Sequence, residues 1–377
     1  TPFVPPQKDG VPGQRTYHFT PTPAGSRWYH SHVMAMSDLH RGTFTGQFGF
    51  VYIEPPSDPG HYDQELFLAL RDWDPFFTSQ LIDMDSDSTS TAPQPERPAV
   101  LNTDPNGLEV TSTTYSINDK ALGAGEPIRV SPGQRVLFHF LNASAIENRT
   151  LALGGHKFQV IALDGNPVPN PALVETLTLG AGERVCAIVE MNNPGNWVLG
   201  EPTDPIRNAG LGILVEYANQ HRQPQWIVPA SLAWDYTVFG SPAAAAALSA
   251  GNRAGAQNID MIFEKVPRGA GKFNTFLVNG KPYPHADEFV LHRGQRYRLT
   301  FRNRTDDAHP LHLHRHTFEL VDMNGKPTSG LLKDTVIVPT YGRVAVEFTA
   351  SHPGLSLSHC HIQQHMDFCF KALFRYA

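Results

Sequence analysis

A chain of 377 residues is too long for one ordinary core and fits two or three domains. Its net charge of -6 includes no run of like charge, which excludes a nucleic-acid footprint. The 32 Pro and 31 Gly lie between short runs rich in Val, Phe, Thr and Leu, the texture of an all-β protein with many turns. No stretch approaches ~18 consecutive apolar residues, so no membrane span is expected. The chain opens on Thr1 and shows no signal peptide. Cys186, Cys360 and Cys369 are too few for a disulfide framework. Seven of the 18 histidines fall within 309–316 and 359–365.

In chain order, residues 1–60 read as part of a β-sandwich unit. Gly13, Phe19, Thr20 and Gly25 match Gly342, Phe348, Thr349 and Gly354 in one unbroken register, which sets His30-Ser31-His32 over His359-Cys360-His361. Residues 61–222 read as a complete unit with strands at Arg135–Leu141 and Arg184–Met191. Residues 223–377 repeat it about 160 residues later. Pro132-Gly-Gln-Arg-Val-Leu-Phe-His-Phe-Leu-Asn142 reappears as Arg293-Gly-Gln-Arg-Tyr-Arg-Leu-Thr-Phe-Arg-Asn303. Gly155-His-Lys-Phe158 returns as Arg315-His-Thr-Phe318, and Glu183-Arg-Val185 as Gly342-Arg-Val344. Between the two units, Ala244–Ser249 reads as a short helical or flexible link, or as an Ala-rich loop.

The chemistry stands where the copies differ. The last unit has His309, His312 and His314 where the middle unit has Arg149, Ala152 and Gly154. It has His359-Cys360-His361 where the middle unit has Gly200-Glu201-Pro202. Residues i and i+2 of a strand share a face. Each of the pairs His30/His32, His312/His314 and His359/His361 therefore presents two imidazoles on one side, while Cys360 points to the other. Imidazole suits copper, iron, nickel or zinc, and a thiolate with two imidazoles is the donor set of a blue-copper centre. His365 and His309 are the natural imidazoles for Cys360. Zinc gives no role to a cysteine flanked by two histidines. A histidine outside these sets is read as structural: His18, His40, His61, His139, His156, His221, His285, His292, His316 and His352.

On these residues the chain resembles the multicopper oxidases of the three-domain laccase type. Trp28-Tyr-His-Ser-His32, His309-Pro-Leu-His-Leu-His314 and His359-Cys-His-Ile-Gln-Gln-His365 are similar to three of the four ligand motifs of that family. The resemblance covers nearly the whole chain. It implies three cupredoxin-like Greek-key domains, the first incomplete at its N-terminus and the second without copper. It implies a type 1 copper on His309, Cys360 and His365, a type 2 copper with His312, and type 3 coppers with His30, His32, His314, His359 and His361. Copper would number about four per complete chain. The axial position falls on Phe370, which cannot coordinate, so a raised reduction potential is expected. The remaining family motif is expected to precede Thr1, because Asp9-Gly10 matches the segment that follows it. Asp9 matches a family acid that helps deliver protons, and equally fits an Asp-Gly turn. Asp367 is a weaker substitute for an acid that relatives keep beside the fourth motif.

The implied partners are dioxygen and a small reducing substrate. The first expectation is one-electron oxidation of phenols or aromatic amines, coupled to four-electron reduction of dioxygen to water. Electrons would pass from Cys360 through its neighbours His359 and His361. A metallo-oxidase acting on Cu(I) or Fe(II) is the alternative; Asp306 and Asp307 lie near His309, while Met is sparse. A blue-copper electron carrier with an incomplete cluster is a third reading. A secreted or periplasmic location is expected from the chemistry. Asn142 and Asn303 begin glycosylation sequons but match across the repeat, which favours a turn role.

Overall fold

The computed structural model describes residues 18–36, 38–56, 60–73, 101–102, 107–220, 222–241, 255–269 and 272–377. Asp9 and the segment Ala244–Ser249 lie outside the described residues. The protein is all-β, with short helices at Asp204–Asn208 and Gln363–Asp367.

The sequence repeat is a topological repeat. In the middle unit, Arg135–Asn142 runs between Gln64–Trp73, which is parallel to it, and antiparallel Arg184–Glu190. In the last unit, Arg296–Asn303 runs between parallel Gln257–Val266 and antiparallel Arg343–Thr349. Each sheet has six strands, and each faces a five-stranded sheet with the same order of equivalent strands. Even the irregularities coincide: the register shifts between Val160 and Ala162, and again between Leu320 and Asp322. The alternation along these strands explains the sandwich. Val136, Phe138 and Phe140 turn into the main core, whereas Leu137 joins Cys186 and Ile188 on the other face.

The first unit contributes a ribbon, Gly25–His30 paired antiparallel with Phe48–Ile53. Trp28, Phe48 and Phe50 dock it against Ala69, Leu141 and Ala143 of the middle unit. The middle and last units are joined by buried charges. Arg184 grips Asp334 through two hydrogen bonds of 2.7 and 2.6 Å, and Lys333 lies 3.0 Å from both Asp164 and Glu183. Tyr236 donates its hydroxyl to Glu183 at 2.7 Å. Such charges are tolerated in a core because every one is paired. Among the described residues no helix is long and apolar enough to cross a membrane.

Candidate metal centre

Strand pairing fixes the centre. Leu311 lies opposite Cys360 and His312 opposite His359. In the middle unit Ala152 lies opposite Gly200. The structural register therefore equals the sequence register used to compare the copies. Alternation then sends Cys360 to one face and its two neighbours to the other.

On the first face, His309 Nδ1 and His365 Nδ1 are 3.2 Å apart, and Cys360 Sγ lies 3.7 and 3.6 Å from them. The centre of such a triangle is about 2 Å from each donor, the length of a metal–imidazole or metal–thiolate bond. All three residues are buried. His365 is brought in by the helix Gln363–Asp367, which has no room to drift. Gln364 accepts from Val110 N at 2.7 Å and donates to Leu108 O at 2.9 Å. Gln363 accepts from Thr43 Oγ1, and Asp367 accepts from the backbone N–H groups of Ala35 and Met36. Asp367 is thus occupied in tying the helix to the first unit. Thr305 Oγ1 lies 2.7 Å from His309 Nε2 and orients the ring. Phe370 stands edge-on to His309 with ring centroids 4.7 Å apart, and Phe276 and Phe263 pack behind it. That wall is apolar and buried.

On the second face, the Nε2 atoms of His32, His314 and His359 form a triangle with edges of 3.2, 3.3 and 3.1 Å. His30, His312 and His361 surround it. The ring centroids of His30 and His361 are 4.9 Å apart, and those of His312 and His361 5.9 Å. Among the described residues these two triangles are the groups able to hold a metal ion. Three rings have Nδ1 committed to a backbone carbonyl: His30 to Ser31 O, His359 to Cys360 O and His312 to Asp334 O, at 2.7–2.8 Å. Nδ1–H donates in each case, so Nε2 keeps a free lone pair facing the cluster. Trp28 stacks on His30 at 4.3 Å and holds the first unit's pair in place. His32, His314 and His361 sit just past the ends of their strands, yet keep the face that alternation predicts.

Burial shapes the electrostatics. It lowers His30 to about 4 and His365 to about 3, and holds His309, His314, His359 and His361 well below the ordinary imidazole value. Crowding by neighbouring imidazoles adds to this in the second group. Burial also pushes the Cys360 thiol up. The surroundings of these donors thus disfavour imidazolium and thiolate alike. A cation reverses the balance for the thiol, since it stabilises the coordinating thiolate. Softness and geometry both fit copper.

The sequence reading missed several supporting groups: Thr305, the Asp334 carbonyl and Lys265, which pairs with Asp306 and Asp307 beside His309. Thr305 carried a signal, the Asn303-Arg-Thr305 triplet. Asn303 is buried and accepts from Thr305 N, while donating to Asp307 O and Pro339 O. Asn142 makes the equivalent turn with Ser144 N, Glu147 O and Leu179 O. Lys265 lies far away in sequence, and nothing local marks it.

Comparison with known proteins agrees with this arrangement. The multicopper oxidase family matches residues 257–376 and, separately, residues 81–216. This chain belongs to the multicopper oxidase family, whose members bind type 1, type 2 and type 3 copper. It is similar to a multicopper oxidase of Mycobacterium tuberculosis, with 29% identity over 94% of this chain and 70% of that protein. An iron transport multicopper oxidase of Gibberella zeae is 26% identical over 94% of this chain and 61% of its own length. The crystal structure of a laccase from Botrytis aclada superposes with a TM-score of 0.67 at 18% identity, covering 93% of this chain and 70% of that one. The chain therefore spans roughly two thirds of these relatives' length.

Proposed function

We propose that the chain acts as a laccase-type oxidase that draws single electrons from small phenols or aromatic amines and delivers them to dioxygen, which leaves as water. One observation carries this reading: Cys360 belongs to one triangle, and its covalent neighbours His359 and His361 face the other group. Copper, when bound, supplies one-electron transfer at the first site and dioxygen reduction at the second. The chain's own residues do the rest. His309, Cys360 and His365 would hold type 1 copper. His312 would hold type 2 copper, and His30, His32, His314, His359 and His361 the type 3 pair. Phe276, Phe263 and Phe370 exclude water from the first site. The domain division at 1–60, 61–222 and 223–377, and export from the cytoplasm, are parts of the same proposal.

The substrate would enter a cavity of about 380 Å³ that reaches His365. Its walls carry Glu109, Glu147, Asp306 and Asp307. These acids favour a second reading, oxidation of Fe(II) or Cu(I). However, Lys265 lies 3.7 Å from Glu109 and 2.9 Å from Asp307 and also pairs Asp306, while Arg149 lies 3.0 Å from Glu147. Carboxylates already paired with cations make a poor preformed chelate, so the organic substrate ranks first. Turnover of 2,6-dimethoxyphenol, Fe(II) and Cu(I) on one copper-loaded preparation tests this. Faster turnover of either metal ion overturns the order. A copper content of one per chain, in place of about four, would point to an electron carrier.

A further inference from the structure

The comparison of equivalent positions that exposes the copper site exposes a second chemical cluster, this time in the middle unit. Cys186 pairs across the sheet with His139, and Glu65 sits on the next strand. The equivalent positions of the last unit hold Ala345, Thr300 and Asn258. The set therefore belongs to the middle unit alone, and the shared frame does not demand it. Glu65 Oε1 lies 2.9 Å from His139 Nε2, and Cys186 Sγ lies 3.1 Å from His139 Nδ1. A carboxylate on Nε2 fixes the proton there, which leaves Nδ1 as the acceptor facing the thiol. Ser26 Oγ shares that Nδ1 at 2.7 Å and lies 3.4 Å from the sulfur. Phe67 stacks on the imidazole at 4.4 Å, and Tyr52 covers it at 4.8 Å. The ring is thus held in one orientation between acid and thiol, the arrangement that activates a nucleophile.

The thiol also faces a cavity of about 280 Å³ between the ribbon and the middle sheet. Ala24, Tyr52, Leu137, Ile161, Ala162 and Pro167 line it, and among the described residues no Lys, Arg, Asp or Glu does. We propose that Cys186 is a nucleophilic site for small, uncharged, apolar electrophiles with a conjugated carbonyl, with His139 as base and Glu65 as the positioning carboxylate. The sulfur bonds to the β-carbon as the carbon–carbon double bond opens. The thiol proton passes to His139 Nδ1 and from there to the α-carbon. No group leaves, and no external oxidant or reductant is needed. Burial pushes the Cys186 thiol up to about 11, so it is neutral at rest and depends on the base at the moment of attack. This site is separate from Cys360 and does not depend on the substrate assigned above.

The test uses the copper-loaded protein, N-ethylmaleimide and peptide mapping, with the partly exposed Cys369 as internal reference. Cys186 should be alkylated with a rate that saturates as the reagent is raised, because the cavity binds it first. His139→Gln should slow Cys186 about tenfold or more and leave Cys369 unchanged. Glu65→Gln should slow it severalfold, with Glu65→Asp restoring part of the rate. Ala162→Phe, opposite Cys186 on the neighbouring strand, fills the cavity and should block Cys186 alone. Two results overturn the proposal: Cys186 remaining unlabelled while Cys369 reacts, or an unchanged Cys186 rate in both His139→Gln and Ala162→Phe.

Discussion

The middle and last units build the same corner in two ways. In the last unit, His309 and Cys360 face each other beside a helix that brings His365. In the middle unit, the same positions hold Arg149 and Glu201, beside a helix at Asp204–Asn208. Arg149 is buried there against Asp72 at 3.3 Å, and Asp72 also accepts from Ala145 N at 2.9 Å. Glu201 accepts from Thr150 N at 3.0 Å. One corner offers three donors that suit a cation, while the other carries a cation of its own, Arg149. The sandwich therefore folds without copper chemistry, and the metal site is a set of substitutions on a frame that tolerates either solution.

The comparison can be broken most directly at its sulfur. Cys360→Ser should remove one copper per chain and lower electron-donor oxidation by ~1000-fold or more, because no thiolate remains to hold or relay. Glu201→Gln, at the equivalent place, should leave copper content unchanged by elemental analysis. A Cys360→Ser protein that kept both copper content and turnover would end the assignment.

The next effect falls on the other corner. Asp72→Ala removes the buried one of two carboxylate partners of Arg149 and should cost about 3 kcal/mol in urea unfolding, with copper stoichiometry retained. A loss below ~1 kcal/mol would mean that Glu147 alone can satisfy Arg149.

The pH dependence of the copper-free protein sharpens the contrast. The folded state holds His30 and His365 below their unfolded value, so the unfolded chain binds more protons in acid. Stability should be full above pH 6.5 and fall as pH drops toward about 4 for His30 and about 3 for His365. The slope should be on the order of 1 kcal/mol per pH unit per histidine. Copper should flatten that slope by holding the rings neutral. Equal slopes with and without copper would count against metal on these rings.

Two smaller effects probe the lining of the last unit's corner. Thr305→Val removes the partner of His309 Nε2 and should weaken copper retention at the first site about tenfold in a chelator competition. Phe370→Met offers a thioether where a ring now packs on His309 and should lower the reduction potential by tens of millivolts. An unchanged potential in Phe370→Met would mean that position 370 does not tune the metal held by His309, Cys360 and His365.

Much of this was legible in the sequence, for local reasons. Alternation by two residues fixes which side chains share a face, so His359, Cys360 and His361 declare two sites before any fold is known. The repeat fixed the register in which Arg149 answers His309 and Glu201 answers Cys360. Tertiary structure alone decided what meets across long separations. It placed His32 of the first unit on His314 and His359, tied the His365 helix down through Asp367 and Gln364, and brought Lys265 to the acids beside the entrance. It also turned His139, a structural histidine by sequence, into the link between Glu65 and Cys186. These contacts depend on how sheets pack and on which strands become neighbours, and no short-range pattern in a chain encodes that.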